Sequence, residues 1–133
     1  MQPLVKQNLT KRNSSSTKTQ EPLYKLDKLR EISKNNEAFI KKILTIFKTE
    51  AVSAITKIKT GVSTKDVKLI NETAHRLKPS LDNLCVVSLA EIVRKLELLP
   101  ANELESPQTK TAVEKFEQIV SAIIDDLTTQ NHI

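Results

Sequence analysis

The sequence predicts an all-α protein: an antiparallel four-helix bundle with a short N-terminal helix. Three observations point there. One glycine (Gly61) and four aromatics (Tyr24, Phe39, Phe47, Phe116) in 133 residues leave little turn or strand chemistry for a β-rich fold. The apolar residues are mostly Leu, Ile, Val and Ala, set among Lys and Glu. They recur at threes and fours over successive segments, a spacing that gathers them on one helical face.

The elements come in this order. "LYKLDKLREIS" reads as a short helix with Leu23, Leu26, Leu29 and Ile32 as its stripe. "KNN" interrupts it, and Asn35 or Asn36 can cap the second helix. From Glu37 to about Lys59 one face carries Ile40, Leu44, Phe47, Ala51, Ala54, Ile55 and Ile58. "TGVSTKD" is a break and restart, with Gly61 suited to the left-handed position after a helix end. Ser63 can cap the third helix, and Asp66 favours its positive end. That third helix is expected over about Thr64 to Leu84. Ser88 with Glu91 gives a capping-box pattern for a fourth helix through Leu98. "LLPANELESPQ" is a loop with two prolines, and Ala112, Val113, Phe116, Ile119, Val120, Ile123, Ile124 and Leu127 form the last amphipathic stripe. Short connections make neighbouring helices antiparallel.

The length suits one domain, expected over residues 23–130. Residues 1–22 read as a disordered basic leader, because Lys6, Lys11, Arg12 and Lys18 meet no acid before residue 21 and so carry four of the net +5 charges. A linker or solubilising tail is the plain reading of that leader. It has no aromatics for base stacking, and the bundle itself is nearly neutral, so no nucleic acid is expected as a partner. No apolar run approaches a membrane span and no signal peptide is evident, so no membrane is expected and a cytoplasmic location is. Cys85 is the only cysteine, so no intrachain disulfide is possible and no cysteine-based metal site is suggested.

"NETAHRLKPSLDNL", residues 71–84, is the segment with chemistry in it. With about 100° per residue and Leu77 as the centre of the core side, Ile70, Thr73, Leu81, Leu84 and Ser88 fall within about 40°, and Ala74 within about 60°. His75 falls about 160° away, with Glu72, Pro79, Asp82 and Val86 on the same outer side. The imidazole therefore points to solvent. A metal needs several converging ligands, and the only other histidine is His132 near the end of the chain, so no metal is expected. Cys85 is ten residues from His75, too far along the axis for a nucleophilic pair.

Lys78 is the neighbour that matters. It lies one turn on and about 60° around from His75, so its ammonium can reach an anion carried on the ring. Neutral imidazole is a competent nucleophile. A phosphoryl group placed on it brings about two negative charges, which the lysine would partly neutralise. The cation should also disfavour protonation of the ring.

These residues resemble the phosphorylation motif of histidine-containing phosphotransfer (HPt) domains, in which the reactive histidine is followed by x-x-Lys-Gly-Ser/Ala. His75, Lys78 and Ser80 in "AHRLKPSLDNL" match it, and "LDKLREISKNNEAFIKKILTIFKTEAVSAI" and "LAEIVRKLELL" are similar to the family's flanking helices. The likeness covers about residues 23–127. It implies a helical bundle that accepts a phosphoryl group from a receiver domain's aspartate and passes it to another receiver. His75 would be the phosphoacceptor, Lys78 would stabilise the group, and Ser80 would lend support or pack between helices. Glu72, Arg76, Pro79, Asp82 and Val86 would surround the docking site. The protein would be a phosphocarrier without autonomous catalysis and without a cofactor of its own, Mg2+ being expected in the partner receiver. A monomer is expected.

Two departures stand out. Pro79 replaces the usual glycine and removes the amide that would bond the carbonyl of residue 75, which predicts a kink there. Cys85 stands where a glycine often follows "NL". Pro79 also suggests the dimerisation helix of sensor histidine kinases. There, however, the proline normally falls five residues after the histidine, and an acid follows the histidine directly. Here the residue after His75 is Arg76, and a kinase's ATP-binding half needs glycine-rich segments where this chain has one glycine, so autokinase activity is not expected, while a dimeric phosphotransferase built from such helices stays open. The alternative function is a catalytically silent HPt-like bundle that docks on and sequesters a response regulator.

Overall fold

A computed structural model describes residues 23–133, and the expected leader, residues 1–22, lies outside them. Five α-helices succeed one another: α1 (Asp27–Ser33), α2 (Glu37–Thr64), α3 (Val67–Asn83), α4 (Ala90–Glu97) and α5 (Pro107–Thr129), with one 3-10 turn over Ala101–Glu103. Among the described residues there is no strand. The all-α prediction holds.

Helix α2 packs on α3 and α5, α3 packs on α4, α4 on α5, and α1 on α2. The core is the set the helical spacing selects: Ile40, Leu44, Phe47, Ala51, Ala54 and Ile58 from α2; Ile70, Ala74, Leu77 and Leu81 from α3; Phe116, Val120, Ile123 and Leu127 from α5. The expected α1 stripe is only half realised. Leu26 and Leu29 are buried while Leu23 and Ile32 are exposed. Strict spacing by three drifts about 60° per step, so such a stripe spirals off a single face.

The helix ends differ from expectation in an instructive way. Gly61 does not terminate α2; the helix runs on to Thr64, and Lys65 takes the left-handed conformation. What Gly61 provides is closeness. A Cβ there would lie 2.6 Å from Ile70 Cγ1 and 3.0 Å from the Asp66 carbonyl oxygen. The next helix is capped by Asp66, whose carboxylate accepts from the Leu69 N–H at 3.1 Å, and not by Ser63. Ser88 is likewise no cap, since α4 begins after Leu89 without a side-chain cap. Asn36 caps α2 as expected. The last helix starts earlier than its stripe suggests, at Pro107, because Ser106 accepts from the Thr109 N–H and a proline is tolerated in the first turn.

One turn recurs. Lys34, Lys65, Cys85 and Asn131 each have φ between 54° and 63° just after a helix. Behind Cys85 the pattern is a complete Schellman closure: Val86 N–H donates to the Leu81 carbonyl at 3.0 Å and Cys85 N–H to the Asp82 carbonyl at 3.1 Å. This turn swings Val86 inward, to 5% exposure. The expectation that Val86 lies on the outer docking side is therefore wrong. The helical phase that placed it there ends at Asn83, three residues too early. Ser88, expected on the core side by the same extrapolation, is exposed.

At the start of the bundle, Tyr24 Oη donates to Asp126 Oδ2 at 2.6 Å and Lys25 N–H to the Leu84 carbonyl at 2.8 Å. Burial, then the Asp126 carboxylate, push the Tyr24 phenol well above its ordinary range.

Candidate functional site

The site is built on the middle of α3. Ile70, Thr73, Ala74, Leu77 and Leu81 bury one face and fix the helix's rotation. Glu72, His75, Arg76, Lys78, Pro79 and Asp82 are left on the surface. The His75 side chain is 71% exposed, as the helical phase predicts.

Its surroundings are less open than that phase implies. The C-terminal end of α4 lies along this flank of α3, and Glu97, its last residue, reaches across. One carboxylate oxygen, Oε2, meets His75 Nδ1; the other, Oε1, accepts from Lys78 Nζ at 3.0 Å. Lys78 is thus engaged rather than free beside the ring, and the group touching the imidazole is an anion, not the cation expected there. His75 and Lys78 meet through Glu97.

Asn71, one turn before His75 on the same face, holds α4 in place. Its Nδ2 donates to the carbonyls of Leu96 at 2.8 Å and Leu99 at 3.2 Å. The Leu96 carbonyl also takes the Leu99 N–H at 3.4 Å, so Asn71 binds the turn that closes α4 and the residue just after it. The hydrogen bonds from His75 and then Lys78 hold the Glu97 carboxyl below its usual value near 4.5, against a desolvation that pushes the other way.

Neither Glu97 nor Asn71 emerged from the sequence. A signal for Glu97 existed: an acid in the last turn of a helix sits at the negative end of the dipole and calls for compensation. His75 and Lys78 provide it.

Ser80 does not join this group. Its Oγ donates to Glu50 Oε1 on α2 at 2.8 Å, so it ties α2 to α3 about 140° around the helix from His75. Pro79 is exposed beside His75, and α3 runs through it from Val67 to Asn83. Having no N–H, it leaves the His75 carbonyl without the usual partner four residues on. Among the described residues no three His, Cys, Asp or Glu side chains converge as metal ligands.

A family model for the Hpt domain matches residues 42–127, which takes in most of α2 and all of α3 to α4, together with α5 as far as Leu127. The chain belongs to the Hpt domain family. No curated protein and no solved structure shows a significant match to it. The matched span includes His75, Lys78 and Glu97. As an Hpt domain, the chain is of the histidine-phosphotransfer class of two-component signalling, whose members are phosphocarriers, not kinases, and engage receiver domains. Among the described residues, no helix of this Hpt domain is long and apolar enough to cross a membrane.

Proposed function

We propose that this Hpt domain is an intermediate of a phosphorelay, in which His75 accepts a phosphoryl group from a receiver-domain aspartate and surrenders it to another receiver. The observation that carries the reading is a solvent-facing imidazole on a helix anchored by its opposite face, with an ammonium one turn away. Such a ring can be approached in line by a phosphoryl donor without rearranging the bundle.

Lys78 has two anions to serve: Glu97 in the resting state and the phosphoryl oxygens after transfer. The shift neutralises part of the charge that arrives. Glu72, Arg76, Pro79 and Asp82 surround the ring and form the α3 part of the docking surface. The exposed outer face of α2, with Ile46, extends it. No resident cofactor enters the proposal, and Mg2+ chemistry belongs to the receiver.

Pro79 favours a second reading, a silent bundle that docks on a receiver and sequesters it, since a proline ring occupies space beside the histidine. One experiment separates them. The protein is incubated with phosphorylated receiver domains, and acid-labile phosphate is followed on it, with His75→Gln as control. Transfer that disappears in the variant supports the relay. Stable binding without transfer supports sequestration.

A further inference from the structure

Thr73 is a buried polar side chain of α3 that the fold leaves without a partner. It is 8% exposed, and its hydroxyl makes no hydrogen bond among the described residues. The exposed helical threonines Thr45, Thr49, Thr56, Thr64 and Thr128 each turn theirs back to the carbonyl four residues before. Thr109, also buried, donates to the Glu103 carbonyl at 2.7 Å. A buried hydroxyl left unpaired is uncommon, and an absent ligand is one physical reason for it.

Thr73 lines a cleft between α2 and α3 with a cavity volume of about 180 Å³. Buried Ala54 and Leu77 form its floor, and Ser53, Lys57 and Arg76 stand around it. Among the described residues neither cation is in an ion pair. Glu72, one turn before Arg76 and spaced to pair with it, makes no such contact. Glu50 is the one carboxylate of the cleft, and it is turned to the far end, where it accepts from Ser80 Oγ at 2.8 Å.

We propose that this cleft binds a phosphate group, as inorganic phosphate or as the head of a small phosphomonoester, through the Thr73 hydroxyl, the Arg76 guanidinium and the Lys57 ammonium.

The donor set selects the ligand. The fork of an arginine engages two oxygens at once. An ammonium and the hydroxyls of Thr73 and Ser53 add donors from other directions, which suits a tetrahedral oxyanion. A planar carboxylate has only two oxygens, and the fork alone would occupy them. Two cations against one carboxylate leave the cleft positive. Its volume is below the roughly 300 Å³ at which pockets for drug-sized ligands begin, so the body attached to the phosphate is small.

This site is separate from the phosphoacceptor. Thr73 lies about 160° around α3 from His75, facing α2 while the ring faces solvent. The proposal therefore does not rest on the relay reading, and the failure of either leaves the other standing.

The test is an amide NMR titration of the full chain with inorganic phosphate, glycerol phosphate and acetate at fixed ionic strength, because salt alone perturbs exposed lysines. Phosphate is expected to saturate, with shifts concentrated at Ser53, Lys57, Thr73 and Arg76. Glycerol phosphate binding more tightly than phosphate assigns the site to an ester; otherwise it belongs to the free ion. Arg76→Gln should weaken binding about tenfold, the factor for one lost hydrogen bond to a charged group. Thr73→Val should weaken it by a similar factor and raise the melting temperature of the ligand-free protein, since an unpaired buried hydroxyl is removed. Thr73→Ser keeps the hydroxyl and should keep the binding. Should Thr73→Val fail to fold, Arg76→Gln and Lys57→Gln, both on the surface, carry the test. No saturable binding, shifts spread evenly over the lysines, acetate bound as tightly as phosphate, or variants that bind like the wild type would each overturn the proposal.

Discussion

Asn71 Nδ2 lies 2.8 Å from the carbonyl oxygen of Leu96, the residue immediately before Glu97. A side chain on α3 thereby sets where the end of α4 lies, and so where the Glu97 carboxylate meets His75. Replacing Asn71 by Ala removes both side-chain hydrogen bonds, leaves the Leu96 carbonyl only its bond from the Leu99 N–H at 3.4 Å, and should cost about 1–2 kcal/mol of stability. Urea unfolding measures the loss. In the same variant the Glu97 contact should loosen, and a ring NMR spectrum of His75 identical to wild type would show that α4 is held by something else.

The Glu97 carboxyl should titrate below its ordinary value near 4.5, because its ionised form takes hydrogen bonds from His75 and Lys78. The sign comes from linkage: a carboxyl depressed in the folded state stabilises that state at pH above its unfolded value, and the benefit is lost as pH falls through the folded value. The clasp between α3 and α4 should therefore persist at pH 5 and open only under more acidic conditions. Carbon NMR of the side chain reads this directly. In His75→Gln and Lys78→Gln the midpoint should move back up, with the larger movement in the His75 variant.

Pro79 lies inside α3 on its exposed face. A proline in a helix interior costs on the order of 3 kcal/mol, from the missing hydrogen bond and the clash of its ring with the preceding turn. Pro79→Ala should raise stability by about 1–3 kcal/mol, visible as a higher melting temperature. No gain would mean that α3 is already adjusted to the proline at no cost. The same variant clears space beside His75, so its transfer rate shows whether the ring impedes an incoming receiver.

Cys85 holds φ at 54° in the turn that ends α3. A side chain in the left-handed region is crowded against its own carbonyl, and glycine is not. Cys85→Gly should stabilise the protein by about 0.5–1 kcal/mol, since relief of strain outweighs the extra freedom of the unfolded chain. Cys85→Ala keeps the strain and should show no such gain in a denaturant titration.

Much of the architecture was legible in the residues alone. The order of helices, most of the core and the outward direction of His75 all derive from one local rule, the angle per residue, which holds wherever the helix does. Where the helix stops, the rule stops. Val86 and Ser88 were assigned to faces of a helix that had already ended at Asn83, and the turn at Cys85 exchanged them. Gly61 was visible as special, but its purpose was contact with Ile70, on the next helix.

The amino-acid sequence by itself determined that the chain is helical, that His75 faces solvent and that Lys78 lies within a turn of it, because each is a matter of neighbours along one stretch of backbone. Only the tertiary structure decided that Glu97, 22 positions from His75, joins the two. Such a pairing depends on how far α4 is rotated and slid against α3. That is settled by packing and by Asn71, and no spacing within a single helix carries it.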